Sequence, residues 1–245
     1  MAEKRLRLDK LLGRMGVGTR KEIRKLVKEG RVTINGEVAE NPGMHVHPEK
    51  DRVEVDGLHI QYREFIYLMM NKPAGVVSAT ADRISETVVQ LLEPEHALFE
   101  PFPVGRLDKD AEGLLLLTND GKTAHNLLSP KKRVPKRYVA LVRGKVTEAD
   151  VEAFRRGVVL DDGYQAMPAE LAIRSSGPES ETEVTVYEGK YHQVKRMFEA
   201  VGKRVVYLKR IAMGPLRLDP SLEPGEYREL TEEEVALITG KDIEG

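Results

Sequence analysis

Gly105-Arg106-Leu107-Asp108-Lys109-Asp110-Ala111-Glu112-Gly113-Leu114-Leu115-Leu116-Leu117-Thr118-Asn119-Asp120-Gly121 sets an arginine two residues ahead of an aspartate and follows them with an unbroken apolar run. In extended chain, side chains two apart point to the same side, so Arg106 and Asp108 share one face. Leu114 to Leu117 read as a strand buried on both faces, because a half-exposed strand would alternate apolar with polar residues. Asn119-Asp120-Gly121 is expected to close that strand as a tight hairpin turn, since these residues tolerate the positive backbone dihedrals such a turn needs. A buried strand with a charged pair at its entrance is the signature of a site rather than of packing.

On either side lie further strand-like runs and isolated helices. Phe65-Ile66-Tyr67-Leu68-Met69-Met70 leads into Asn71-Lys72-Pro73, and Tyr138-Val139-Ala140-Leu141-Val142 reads as another strand. Residues 192–202 carry Val194, Met197, Phe198 and Val201 at helical spacing, which sends His192, Lys195, Arg196 and Glu199 to the other side. Thr231-Glu232-Glu233-Glu234 is a capping box that opens a last helix. This mixture, without a βαβ series, predicts an α+β domain whose mixed, largely antiparallel sheet is flanked by helices. No internal repeat, phosphate loop or dinucleotide fingerprint is present.

Residues 1–60 form a separate, smaller pattern, and residues 61–64 link it to residues 65–245. Leu8, Leu11, Leu12 and Met15 recur at helical spacing until Gly16 and Gly18 interrupt them. Thr19-Arg20-Lys21-Glu22 is a capping box for a second helix, with Ile23, Leu26 and Val27 as its apolar stripe and Gly30 as its stop. At about 100° per residue, Arg20, Lys21, Arg24 and Lys28 fall together beside that stripe, so burying the stripe displays the cations. A hairpin with an Asn35-Gly36 turn and a short strand at Val53-Glu54-Val55 complete a small α/β module. Its basic helix is either a solvated face or a comb facing phosphates.

A chain of 245 residues with 40% apolar content holds one good core and a small satellite. Its longest apolar runs are a few residues, so neither a signal peptide nor a membrane span is expected, and the protein reads as soluble and cytoplasmic. Cysteine is absent, which excludes disulfides and thiolate metal sites. His45 and His47 precede a proline without a suitably spaced acid, so they read as loop and no metal is expected. The net charge of −1 hides strong polarity. Residues 1–36 carry eleven Lys/Arg against four Asp/Glu, residues 122–145 eight against none, and residues 189–217 eight against one, whereas residues 219–245 carry two against nine. Separate basic stretches with an acidic remainder suggest an oriented surface for a polyanion such as RNA. No coiled coil or broad apolar surface helix appears, so a monomer is expected.

The Gly105-Arg106-Leu107-Asp108 motif resembles the catalytic motif of RNA pseudouridine synthases. Asn71-Lys72-Pro73-Ala74-Gly75, Lys136-Arg137-Tyr138, the stretch from Glu188 through Tyr191-His192-Gln193-Val194-Lys195-Arg196-Met197, and Pro224-Gly225-Glu226-Tyr227-Arg228 follow the order of the RsuA-type branch. Arg7-Leu8-Asp9-Lys10-Leu11-Leu12, Arg20-Lys21-Glu22-Ile23 and Gly30-Arg31-Val32-Thr33-Ile34-Asn35-Gly36 resemble an S4 RNA-binding domain. The resemblance implies conversion of uridine to pseudouridine: the bond from C1′ to N1 breaks, the base turns, and C1′ rejoins at C5, without metal or cofactor. The uridine must leave its stack, at a cost of a few kcal/mol.

The resemblance also implies roles. Asp108 is the essential carboxylate, as nucleophile or as base toward a ribose proton; Asp110 and Glu112 are alternatives without the motif context. Arg106 occupies the space of the flipped base, or is a structural partner of Asp108 or Glu112. Tyr138 stacks on the base, or is a buried strand tyrosine. Lys195 pairs with Asp108 and favours its charged form, a role that Arg196 is able to exchange with it. Phosphate contacts are implied for Arg7, Lys10, Arg20, Lys21, Arg24, Lys28 and Arg31 in the S4 module. In the larger domain they are implied for Lys72, Lys136, Arg137, Lys190 and Arg196, although the turn at Lys72 has a purely structural reading. Tyr191-His192-Gln193 looks like the small-subunit subgroup, so the implied target is 16S ribosomal RNA at the family's uridine-516 site, free or in an assembling subunit. A 23S target and a noncatalytic ribosome-assembly role are the alternatives.

Overall fold

The computed structural model describes residues 5–240, which form two compact units. One runs to Phe65 and also takes in Glu93–Glu100; the other holds Ile66–Leu92 and the chain from Pro101 onward. Glu93–Glu100 thus packs with the small unit although it lies, in sequence, within residues 65–245. That segment belongs with the small unit because Leu98 closes over Gly16, where a Cβ would lie 2.9 Å from the leucine Cδ1.

In the small unit, β1 (Leu6–Arg7), α1 (Leu8–Arg14) and α2 (Arg20–Lys28) precede five short strands. These are β2 (Val32–Ile34), β3 (Glu37–Val38), β4 (His45–Val46), β5 (Val53–Val55) and β6 (Leu58–His59). β2, β3, β5 and β6 form an antiparallel sheet in the order β3-β2-β5-β6, and β1 pairs with β4. His45 is thus in a strand rather than a loop, paired with Arg7. The Thr19 capping box is formed: its hydroxyl accepts from the Glu22 amide at 3.3 Å, and the Glu22 carboxylate accepts from the Thr19 amide at 2.7 Å. Asn35 and Gly36, at φ 53° and 87°, make the type I′ turn. Leu8, Leu11, Leu12, Ile23, Val27 and Val32 are the centre of this unit's core.

The larger unit contains β7 (Tyr67–Lys72); α3 (Pro94–Ala97) follows in the segment that joins the small unit. Then come β8 (Phe102–Pro103), β9 (Glu112–Thr118), α4 (Gly121–Leu128), β10 (Lys136–Arg143), α5 (Glu148–Arg156), β11 (Glu170–Ser175) and β12 (Glu179–Val186). The chain continues with α6 (Gln193–Ala200), β13 (Arg204–Met213), β14 (Leu216–Arg217), β15 (Tyr227–Glu229) and α7 (Glu232–Thr239). The sheet runs β11-β12-β10-β13-β9-β7-β15, with β8 beside β9 and β14 beside β13. Among the described strands, β9 and β13 alone run parallel, so the sheet is mixed and largely antiparallel.

Leu114 to Leu117 are buried on both sides of β9, as an unbroken apolar run requires. The hairpin expected after them is not formed. Asp120 keeps a negative φ of −87° and caps α4, accepting from the Lys122 amide at 3.0 Å and the Thr123 amide at 3.1 Å. Asn-Asp-Gly carries the chemistry of a turn and of a helix start alike, and here the helix takes it. At the other end of β9, Gly113 lies against β13 at φ +103°, and a Cβ there would stand 2.2 Å from the Arg210 carbonyl oxygen.

Candidate active site

Residues directly opposite one another on neighbouring strands present their side chains to the same face. Lys72 pairs with Gly113, Gly113 with Arg210, and Arg210 with Tyr138. Lys72, Arg210 and Tyr138 therefore line one face in a single row, with a glycine gap between the two cations.

Lys72 is fully buried, and its ammonium donates to the carbonyl oxygens of Pro73 at 2.9 Å, Lys109 at 3.3 Å and Ala111 at 2.8 Å. Three donors meet three acceptors, and two of these lie in the loop that carries Asp108. From the other side, the Ser78 hydroxyl donates to the Leu107 carbonyl and accepts from its amide, both at 3.1 Å. Asp108 thus sits in a loop fastened at both ends. Burial pushes Lys72 down to about 8 from 10.5, against the pull of Asp110, Asp108 and Glu112. Folding then releases a proton from Lys72 between about pH 8 and 10.5, so its contribution to stability rises with pH across that window and is lost as pH falls through 8. In urea melts, the wild type should gain stability relative to Lys72→Met between about pH 7.5 and 10; a constant difference would contradict this burial.

The Asp108 carboxylate is half-buried. Lys195 Nζ lies 3.0 Å from its Oδ2 and His192 Nε2 3.5 Å from its Oδ1. Lys195 also donates to Asp110 at 2.7 Å. Burial pushes the Lys195 ammonium down, but the hydrogen bonds and charges of Asp110 and Asp108 outweigh it and hold the group above its usual range. Asp110 is held below the usual carboxylate range, chiefly by its hydrogen bond from Lys195 and despite some burial. Lys195 is delivered by α6, which is anchored by buried Val194, Met197 and Phe198, the last packed on Phe154 with ring centroids 4.9 Å apart. The turn ahead of α6 is tied by Glu188, which accepts from Gln193 Nε2 at 2.9 Å, the Met167 amide at 2.8 Å and the Tyr164 hydroxyl at 2.6 Å.

Arg106 is exposed and has no ion pair or hydrogen bond among the described residues. Its structural alternative is not realised, since Asp108 faces Lys195 and His192, and Glu112 accepts from the Tyr207 hydroxyl at 2.9 Å. Tyr138 lies on the inward face of β10, and no described residue hydrogen-bonds its hydroxyl.

Three of the residues expected to contact phosphate have partners within the protein. Lys72 is spent on the carbonyls described above. Lys136 is buried and donates to the Val134 carbonyl at 3.1 Å, with burial pushing its ammonium below its usual range. The Arg196 side chain is held by Asp161 at 2.6 Å through Nε and by Asp162 at 2.7 Å, so it neither exchanges with Lys195 nor presents a free fork. Of the others, Arg137 is half-buried, and Lys190 is exposed with its ammonium 4.5 Å from the Tyr164 ring centroid. In the small unit, Arg7 is clasped by Asp9 and Arg31 by Asp56. Lys10, Arg20, Lys21, Arg24 and Lys28 are exposed without ion pairs among the described residues.

Sequence reasoning missed the contacts of His192 with Asp108 and of Asp110 with Lys195, although His192 and Lys195 already shared a helix face. It also missed Arg210, which is buried and donates through Nε to the Leu114 carbonyl at 2.8 Å. Nothing in a basic strand segment marks which cation turns inward.

Fold and site together define a mixed-sheet protein with a half-buried carboxylate clasped by a lysine, and a small basic module precedes it in the chain. Residues 66–200 match the RNA pseudouridylate synthase family and residues 6–53 the S4 domain. An uncharacterized RNA pseudouridine synthase of Bacillus subtilis, YtzG, is 54% identical over 95% of this chain and 98% of its own length. The ribosomal small subunit pseudouridine synthase A of Vibrio cholerae is 42% identical over 95% and 99%. The ribosomal large subunit pseudouridine synthase B of Bacillus subtilis is 39% identical over 95% of both chains. The chain belongs to the RNA pseudouridylate synthase family and is a pseudouridine synthase with an S4 domain.

Proposed function

We propose that this enzyme isomerises one uridine of 16S ribosomal RNA, at the family's uridine-516 site, acting in the cytoplasm as a monomer on free RNA or an assembling small subunit. The observation that carries the chemistry is Asp108, clasped by Lys195 and faced by His192 in a fastened loop, with Arg106, two residues away, unpaired among the described residues. Tyr191-His192-Gln193 and the small-subunit relative support the target. Arg106 enters the space vacated by the flipped uridine, and the base rests against Tyr138. Either Asp108 attacks C1′ as N1 leaves and its ester bond breaks as C5 bonds to C1′, or Asp108 removes the C2′ proton as N1 leaves and returns it once C5 has added to C1′. C5 gives up its proton and N1 gains one, so the reaction balances without cofactor or metal. Lys195 stabilises the carboxylate whenever it is ionised, before attack or proton removal and after release.

Lys10 and the exposed cations of α2 grip phosphates without reading bases. Changing Arg20, Arg24 and Lys28 together to glutamine should weaken RNA binding and reduce the slope of log affinity against log salt by roughly 2 to 3. An unchanged slope removes that role.

Pseudouridine mapping on unmodified small- and large-subunit ribosomal RNA, free and protein-bound, tests the reading. One new modification in 16S RNA supports it. A modification confined to 23S RNA moves the assignment to the large subunit, and conversion of neither overturns the target.

A further inference from the structure

Tyr191 stands out in a chain with no tryptophan: it is 76% exposed, far more than a packed aromatic. Its ring stacks on that of His192 at 3.8 Å between centroids and 17° between planes. The backbone of His192 is left-handed, φ 47° and ψ 34°, a local break from α6 that brings the two neighbouring rings together. Beyond the stack, the Tyr191 carbonyl accepts from Arg196 Nη1 at 3.3 Å, its one hydrogen bond among the described residues. Among the described residues its hydroxyl has no partner, and one ring face is left to solvent. The inner ring of the pair is the histidine whose Nε2 lies 3.5 Å from the Asp108 carboxylate. The stack therefore begins at the reactive group and ends in an open aromatic face.

Resting on the reading of Asp108 as the centre of an RNA-modifying site, we infer that Tyr191 and His192 form a stacking step for an unpaired nucleobase adjoining the flipped uridine. A nucleotide removed from its duplex leaves its neighbour with an uncovered face, and an exposed aromatic ring supplies the replacement surface. Such stacking tolerates any base, so it contributes affinity and placement of the strand rather than sequence choice.

Binding of a single-stranded oligouridine to the full-length protein tests the step independently of conversion. Tyr191→Ala should weaken binding by about 5- to 150-fold, as loss of one base–aromatic stack does, while Tyr191→Phe should bind like wild type. On an oligomer of equal length with abasic riboses, wild type and Tyr191→Ala should be indistinguishable. Equal affinity of Tyr191→Ala and wild type for oligouridine overturns the inference. So does the same loss on the abasic oligomer, which would mark a backbone contact. Should the wild type bind as expected and yet convert no ribosomal uridine, the target assignment fails while the stacking step stands.

Discussion

Asp108→Asn is expected to lower the single-turnover rate of uridine conversion by at least about 10⁴-fold while leaving RNA affinity within a few-fold of wild type. The amide keeps the shape of the carboxylate but supplies neither a nucleophile toward C1′ nor a base toward the ribose. Thermal melting should change little, because the loop is held by Lys72 and Ser78 through backbone groups rather than through the Asp108 side chain. Asp110→Asn is the matched control: Asp110 is 74% exposed and among the described residues forms an ion pair with Lys195 alone, so its loss should cost less than about tenfold. Full conversion by Asp108→Asn, or a collapse of activity confined to Asp110→Asn, would transfer the central role to Asp110.

Gly113→Ala should destabilise the larger unit by about 3 to 5 kcal/mol, lowering its melting temperature by roughly 10 °C. Two effects act together. At φ +103° an L side chain is strained whatever space surrounds it, and here the added Cβ would meet the Arg210 carbonyl oxygen at 2.2 Å and its amide nitrogen at 2.7 Å. Neither neighbour can yield, since both belong to the backbone of β13 where it pairs with β9. Gly36→Ala, at a turn with nothing near the missing Cβ, should cost less. A Gly113→Ala protein melting with the wild type would show that the junction of the two parallel strands is plastic.

Much of the fold was legible because local chemistry and global packing agree. The capping boxes at Thr19 and Thr231, the Asn35-Gly36 turn and the buried run of β9 each arise from a few neighbouring residues. Asn119-Asp120-Gly121 is ambiguous because the same three residues suit a hairpin and a helix start, and the packing of the segment after Gly121 decides between them. At the site, the pairing of Lys195 with Asp108 is implied by family resemblance, whereas the inward turn of Lys72, Lys136 and Arg210 is not. Those three are placed by register between distant strands, and composition records only that they are basic.

The return of Glu93–Glu100 to the small unit has a consequence for synthesis. The N-terminal unit is discontinuous in the chain, with Leu98 over Gly16 and the Arg63 guanidinium 5.5 Å from the Phe99 ring centroid. It cannot be completed until residue 100 has emerged from the ribosome, by which time the first strand of the larger unit is already out and waiting for β9. A fragment cut at residue 60 or 65 lacks the Glu93–Glu100 segment that packs on this unit. The two parts of the enzyme are thus interleaved along the chain rather than consecutive.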